Sequence, residues 1–366
     1  MARIFVNLLQ STGTKGGIEV YARELYRQLG TMNTGHEFIG FASRELAAAG
    51  APWFPGRVID SGISGENRFA WARGELFTVS RIAREVQADL IHGPAMFAPL
   101  RSSVPVVVTF HDLLYFTHPE LMQTKAFTEP VKWMERRAAA TATRIIAISD
   151  TTARAAERHL RVPRELIDVV QQAPRATRSA PRAPSAEPMF LAMGQRSPYK
   201  DFPTVIRAWH HIPAELRPKL IVTGSHGDDP LRPLVDELGL APWVELKSWV
   251  SNEELGELLG SATALIDSTL AGGSSLPTLE AMALGLPVLM ADTEIFREIG
   301  ADAADYFDAG DPADLARAVQ QLAADPSRQQ ELSRLGLPRA SLFSWEKTAR
   351  GTLESFSKAL RSKGAS

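Results

Sequence analysis

No cysteine occurs in this chain of 366 residues, which at once removes disulfide frameworks, thiolate metal sites and cysteine nucleophiles. Nothing in the composition therefore calls for an oxidising compartment, and the cytoplasm is the expected location. No run approaches the roughly 20 apolar residues of a spanning helix. The opening MARIFVNLLQ enters a strand-like run without a charged segment followed by a long apolar one, so no secretory leader is expected. Any membrane contact is then peripheral. A large net charge is also lacking, since 40 basic side chains stand against 42 acidic ones, and no nucleic-acid partner is expected. The sequence has no H-E-x-x-H, no G-x-S-x-G elbow, no D-x-D pair and no histidine cluster at ligand spacing. Metalloprotease, α/β-hydrolase and D-x-D metal-dependent transferase chemistries each lose their usual support, and no metal is expected.

What is present is an ordinary globular composition, 45% apolar and 22% charged, on a chain long enough for two domains. The near-neutral total hides a difference between its parts. Residues 1–172 carry 20 basic and 17 acidic side chains, 173–188 three and one, and 189–366 17 and 24. Drift in solvated faces accounts for differences of this size, and the alternative is that the first part faces something anionic such as a lipid phosphate.

Short apolar runs alternate with helical spacing throughout. Arg3–Leu9 reads as a strand, Gln10–Gly17 (QSTGTKGG) as a glycine loop and Ile18–Leu29 as a helix. The loop matches neither G-x-x-x-x-G-K-[ST] nor G-x-G-x-x-G. After Phe38–Ala42 comes a stretch rich in Gly and Pro, read as a loop, then a helical region around Phe77–Gln87 and the short run DLIH. Pro105–Phe110 (PVVVTF) is apolar throughout, as a strand buried on both faces should be, and it delivers His111 and Asp112 at its carboxyl end, where ligands of open α/β sheets bind. A helix near Lys125–Ala142, a strand Arg144–Ser149 and a helix Thr151–His159 complete the first part. Ala173–Pro188 (APRATRSAPRAPSAEP) has no apolar period and reads as a linker. Beyond it Met189–Met193, Lys219–Gly224 and Val244–Lys247 are strands, and helices follow them to about Trp209, over Leu231–Leu238 and over Ser251–Leu259. Late helices are expected at Asp311–Leu322, Ser327–Leu335 and Trp345–Leu360.

The stretch Ser261–Gly300 carries the strongest signal. Ala262–Asp267 is a strand, Ala271–Ser275 (AGGSS) a small-residue loop, and Pro277 sits in a first helical turn; Thr278–Leu284 continues the helix, Gly285 stops it, and Pro287–Ala291 is the next strand. A loop of Gly and Ser entering a helix lets an anion come close to free N–H groups at the positive end of the helix dipole. Phosphate is the natural guest.

With these residues in view, the chain resembles the retaining, GT-B-fold glycosyltransferases of family 4 along nearly its whole length. The resemblance runs from GGIEVYARELYRQL (Gly16–Leu29) through TFHD (Thr109–Asp112) and AISDTTARAA (Ala147–Ala156) to LPTLEAMALGLPVLMADTEIFREIG (Leu276–Gly300). It implies two Rossmann-like parallel-sheet domains facing each other across a cleft: an acceptor-side domain over 1–172, a nucleotide-sugar domain over 189–344, the linker 173–188 between them, and a C-terminal helix in 345–366 that could lie on either domain, packing back on the first being one option. It further implies glycosyl transfer with retention from a nucleotide sugar, of the GDP-mannose or GDP- or dTDP-rhamnose type, to a glycan, lipid-linked or small-molecule acceptor in polysaccharide biosynthesis or related work. No cofactor beyond that co-substrate is implied.

Position by position, Glu280 resembles the second Glu of the family's E-x7-E motif, which takes the ribose hydroxyls. Lys200 resembles the phosphate-binding Lys after the first strand of the C-terminal domain, and Arg196 the second cation, although the family's commoner GRLxxxKG pattern would place that Arg at Gln195. His111 resembles the His near the transferred sugar and acceptor. Gly16 and Gly17 resemble the loop that approaches the donor phosphate. Gly194, Gly272, Gly273, Ser274, Ser275 and Leu276 complete the expected donor site. One departure stands out: where the family's first Glu contacts the sugar, this chain has Gly272, and E-G-F-G reads Gly272-Gly273-Ser274-Ser275. A donor sugar lacking a hydroxyl, replacement contacts from Ser274, Ser275 or backbone N–H groups, and weakened catalysis all fit that change. A catalytically weakened nucleotide-sugar binder and a GT-B nucleotide-sugar epimerase are the alternative readings.

Overall fold

The computed structural model describes residues 1–13, 16–122, 125–175, 185 and 187–362. Two compact units divide the chain, one made of Met1–Pro119, Thr124–Gln172 and Ser344–Ser366, the other of Ala173–Phe343 with Glu120–Gln123. Each is built on its own parallel sheet.

The first unit contains β1 (Arg3–Leu8), β2 (Glu37–Ala42), β3 (Arg57–Asp60), β4 (Leu90–Gly93), β5 (Val106–Phe110), β6 (Arg144–Ala147) and β7 (Ile167–Val169). Their order is β3-β2-β1-β4-β5-β6-β7, and neighbouring strands pair in parallel. Alternation along β1 feeds two core layers: Ile4, Val6 and Leu8 join one, Phe5 and Leu9 the other. Both layers are covered by helices, which is why β5 is buried along its whole length instead of alternating. The final helix, Trp345–Ser362, places Ala349, Phe356 and Ala359 in the layer of Ile4 and Val6. Its polar edge reaches the sheet as well, for Ser355 Oγ and Lys358 Nζ donate to Asp168, the carboxylate that Arg144 also holds.

The second unit contains β8 (Met189–Met193), β9 (Lys219–Ser225), β10 (Val244–Ser248), β11 (Ala264–Asp267), β12 (Val288–Ala291) and β13 (Asp305–Phe307) in the order β10-β9-β8-β11-β12-β13, again parallel. Trp209 is fully buried in the helix Phe202–His211, donates Nε1–H to the carbonyl of Pro218 at 2.8 Å, and packs edge-on against Phe190 of β8. In each sheet the strand order reverses once, between β1 and β4 and between β8 and β11. Loops leaving the two central strands diverge there, and a crevice opens at their carboxyl ends.

The region expected as a loop between β2 and Phe77 is in fact structured. It holds the helix Arg44–Ala49, capped by Ser43 Oγ on the N–H of Leu46 at 3.1 Å, then β3, then the helix Arg68–Arg73 capped by Asn67. β3 is four residues long and only half buried at a sheet edge, so no apolar run marks it; pairing with β2 makes it a strand. The three-residue strands β7 and β13 escaped notice for the same reason. The helix expected over Thr151–His159 runs Asp150–Ala155 and then widens into a π-turn, Ala156–Leu160. Most of the expected linker, residues 176–184 and 186, lies outside the described residues.

Candidate functional site

In the second unit, the loops after β8 and β11 are stitched together at the point where strand order reverses. The Leu270 N–H donates to the carbonyl of Tyr199 at 2.8 Å, and Ser268 Oγ to the carbonyl of Lys200 at 2.6 Å. Lys200 is thereby held beside β11, and its Nζ donates to Thr269 Oγ1 at 3.0 Å. Its aliphatic stem passes over Gly194, where an added Cβ would stand 3.6 Å from Cε. Gly194 has φ +138° and lies close to Gly224, whose own Cβ would meet the Gly194 carbonyl oxygen at 2.6 Å; both glycines are required for that approach.

Beneath the small-residue loop lies Asp267, the last residue of β11, which is buried. One carboxylate oxygen accepts from Ser275 Oγ at 2.5 Å and Thr278 Oγ1 at 3.0 Å; the other accepts from Thr269 Oγ1 at 2.5 Å. Burial alone would raise the pKa of this acid, but the Lys200 charge and the three hydroxyl donors outweigh it, and the group lies below its usual range. Asp267 is therefore an ionised anchor. Ser275 in turn caps the helix Leu276–Ala283, its Oγ accepting from the N–H of Thr278 at 3.4 Å. A relay from Lys200 through Thr269, Asp267 and Ser275 thus ends at the helix start, setting a cation and a positive helix end in one place.

Arg196 is engaged elsewhere. Its Nε and Nη2 clamp Asp229, the latter at 2.7 Å, while Nη1 donates to the carbonyls of Gly194 and Thr223 and Nη2 also to that of Val222. Every N–H of the guanidinium has a partner, so the residue expected as a second cation ties β9 to the loop after β8 and has no N–H left for a phosphate. Glu280 is 1% exposed, and Arg175 holds both its oxygens, Nε to Oε1 at 2.6 Å and Nη2 to Oε2 at 3.1 Å. Gly272 is half-buried in an ordinary backbone conformation, and an added Cβ would find nothing nearer than the Ser274 carbonyl at 3.8 Å. Glycine there is not demanded by the fold. Gly273 and Leu276 are buried and Ser274 half-buried in the same loop.

In the first unit, His111 follows β5 and is buried. Its Nε2–H donates to the carbonyl of Pro94 at 2.8 Å, which fixes the tautomer and leaves Nδ1 as an acceptor; Tyr21 packs edge-on against the ring at 4.8 Å. Burial pushes its imidazole down to about 4. Gly16 caps the helix Gly17–Thr31, and Glu19 in its first turn reaches back to accept the N–H groups of Thr12 at 2.9 Å and Gly13 at 3.1 Å. The glycine loop is thus pinned by its own helix.

Comparison with known proteins now identifies the class. The family model Glycosyltransferase Family 4 matches residues 15–174, and Glycosyl transferases group 1 matches residues 175–336. The chain belongs to this family and is a glycosyltransferase. Among curated relatives, it is 27% identical over 292 residues to the O-antigen chain mannosyltransferase B of Escherichia coli, covering 75% of each chain. It is also 27% identical over 397 residues to the D-inositol 3-phosphate glycosyltransferase of Frankia alni, covering 95% of this chain and 96% of that one. Among solved structures, a sucrose-phosphate synthase from Thermosynechococcus elongatus superposes with TM-score 0.79 at 19% identity over 100% of both chains. The Anabaena protein HepE in complex with UDP-glucose gives 0.75 at 17% identity, covering 98% of this chain and 100% of that one. At such identities the structures speak for the fold, two Rossmann-like parallel-sheet domains of the GT-B type.

Sequence reading missed Asp267, Glu19 and Arg175. Asp267 was visible as a carboxylate ending an apolar strand just before a Gly/Ser loop, and Glu19 as an acid in a first helical turn; Arg175, 105 residues from Glu280, left no local signal. Because the unfolded chain protonates His111 near pH 6.5 while the folded one resists until about 4, stability falls as pH drops through that window and levels off below it. His92, buried and pushed down to about 3, adds in the same direction. NMR titration should show no protonation of the His111 ring above pH 5.5; a midpoint near 6.5 would show that the ring is not buried as described.

Proposed function

We propose that this glycosyltransferase moves a hexosyl or deoxyhexosyl group from a nucleoside-diphosphate sugar to a hydroxyl of a glycan, lipid-linked or small-molecule acceptor, with retention at the anomeric carbon. The observation that carries the reading is the convergence of Lys200 with the Ser275-capped helix start beside β11. When the anomeric C–O bond breaks, its electron pair leaves with the nucleoside diphosphate, and negative charge gathers on the β-phosphate. A fixed ammonium and the N–H groups of a helix start stabilise that charge without reorganising. The acceptor hydroxyl supplies the oxygen of the new bond and gives up its proton. His111, neutral and held by Pro94, serves as a hydrogen-bonding group for sugar or acceptor and not as a positive charge. Gly16 and Gly17 leave room at the start of their helix for the donor phosphate, and Glu280 takes the ribose hydroxyls.

The mannosyltransferase relatives support a mannose or related donor. Gly272 supports a sugar that asks for no carboxylate there, a 6-deoxyhexose such as rhamnose among them, with Ser274 and Ser275 supplying neutral contacts. No helix of the described residues is long and apolar enough to cross a membrane. Peripheral contact fits the first unit, where Phe69 and Phe77 are 82% and 58% exposed and Arg73, Arg81 and Arg84 are exposed on the same segment.

Lys200→Ala should lower donor-dependent turnover about a hundredfold, roughly 3 kcal/mol of transition-state stabilisation, while leaving the melting temperature within a few degrees; near-normal turnover would remove Lys200 from the site. Turnover should also survive EDTA, because the positive field comes from Lys200 and the helix start; activity restored only by Mg²⁺ or Mn²⁺ after chelation would contradict this. Gly272→Glu should fold, given the open space at that position, and should depress use of the native donor by placing an unpaired carboxylate against it. A gain with an ordinary hexose donor such as GDP-mannose would instead favour a weakened enzyme, and an unchanged donor ranking would mean that residue 272 does not face the sugar.

A further inference from the structure

Glu280 enters the donor reading as the ribose carboxylate, yet in this structure ribose has no way to reach it. The side chain is 1% exposed, and the Arg175 guanidinium lies on both oxygens at 2.6 and 3.1 Å. A carboxylate offers about four lone-pair directions. Arg175 takes one on each oxygen, and the near-complete burial of the residue means that protein covers the rest. A diol approaching from solvent must therefore use the edge that Arg175 holds.

We propose that Arg175 is a resident competitor of the donor: its guanidinium occupies the ribose position on Glu280 while the site is empty, and donor binding exchanges one for the other. The inference rests on the reading of Glu280 as the ribose carboxylate. The two partners are chemically alike at the point of contact, since a guanidinium edge and a vicinal diol each present two donors side by side to the two carboxylate oxygens. They differ in charge and in burial: Arg175 is 29% exposed, whereas Glu280 is fixed in a helix between the buried residues Leu279 and Ala281.

A resident partner is physically needed here. A buried carboxylate left without one is strongly unfavourable, and an empty donor site would otherwise leave Glu280 in that condition. Arg175 keeps the two oxygens of Glu280 aligned until a diol arrives. Measured nucleotide affinity becomes a difference between two partners for one carboxylate, lower than the intrinsic affinity by the fraction of time Arg175 is displaced.

The test uses the full chain and nucleoside diphosphates as probes. UDP and GDP are titrated by calorimetry into the unaltered protein, Arg175→Ala and Arg175→Lys, alongside thermal melts and the 2′-deoxy form of whichever nucleotide binds. Arg175→Ala should tighten binding about tenfold or more and lower the melting temperature; Arg175→Lys, which keeps the charge but loses the two-pronged contact, should fall between. The 2′-deoxy nucleotide, lacking one of the two hydroxyls, should gain clearly less. If Arg175→Ala does not fold, the Arg175→Lys comparison decides alone. Unchanged or weaker binding in the variants, with or without a lower melting temperature, would overturn the exchange and leave Arg175 as a structural partner. Equal gains for the ribo and deoxy forms would overturn it too. Should the unaltered chain and both variants bind neither UDP nor GDP, nor ADP or dTDP titrated in the same way, the donor reading itself fails, and this inference with it; binding without any gain on substitution sinks the exchange only.

Discussion

The second unit depends on one buried carboxylate. Asp267 sits at the end of β11 with no solvent to neutralise it, and it is stable there because three hydroxyls and the nearby Lys200 charge surround it. Each of those partners belongs to a different piece of the site: Thr269 to the loop that receives Lys200, Ser275 to the helix cap, Thr278 to the first helical turn. An ionised acid under the loop therefore determines where the cation lies and how the helix begins. The cost of burying a charge is met by making that charge the common acceptor for groups that would otherwise point in unrelated directions.

The same economy extends to the other charged groups of this unit. Arg196 is spent on Asp229 and three backbone carbonyls, and Glu280 on Arg175. Lys200 differs in kind, because its acceptor is a neutral hydroxyl and not a carboxylate; its charge is available to an incoming anion, tempered by Asp267 one hydroxyl away. Two ion pairs and one hydroxyl-bound ammonium thus separate the charges that are matched by an opposite charge from the one that is not.

In the first unit one buried polar network is neutral. Tyr26 Oη meets His92 Nδ1 at 2.6 Å, and His92 Nε2 meets Thr109 Oγ1 at 3.1 Å, all within the sheet's interior. Burial pushes both His92 and His111 down and Tyr21 up to about 12, so no net charge is placed there at neutral pH. Glu75 is a buried acid of the same unit, held in the π-turn Gly74–Thr78 and pushed up to about 7, with Asn7 and the Trp71 indole as its donors.

The strands with nearly continuous apolar runs, β1, β5, β8, β11 and β12, were legible in the sequence because a strand buried on both faces is built mainly from Val, Ile, Leu, Met, Phe and Ala. The Gly/Ser loop and its helix were legible for a local reason too: small residues, a cap and a proline in the first turn act over a few positions. Short edge strands such as β3 and β13 were not, since their strand character comes from a neighbour and not from their own residues. The site divides the same way. Sequence by itself determined which residue types stand at the helix start beside β11, namely Lys200, Ser275 and the glycines that let backbones approach. Only tertiary structure decided which charges remain available, because pairing depends on groups far apart along the chain: Arg196 with Asp229 at a separation of 33 residues, Lys200 with Thr269 at 69 and Arg175 with Glu280 at 105. Side-chain charge is a property of one residue, but the field that a ligand meets is set by whichever partner folding brings within about 3 Å.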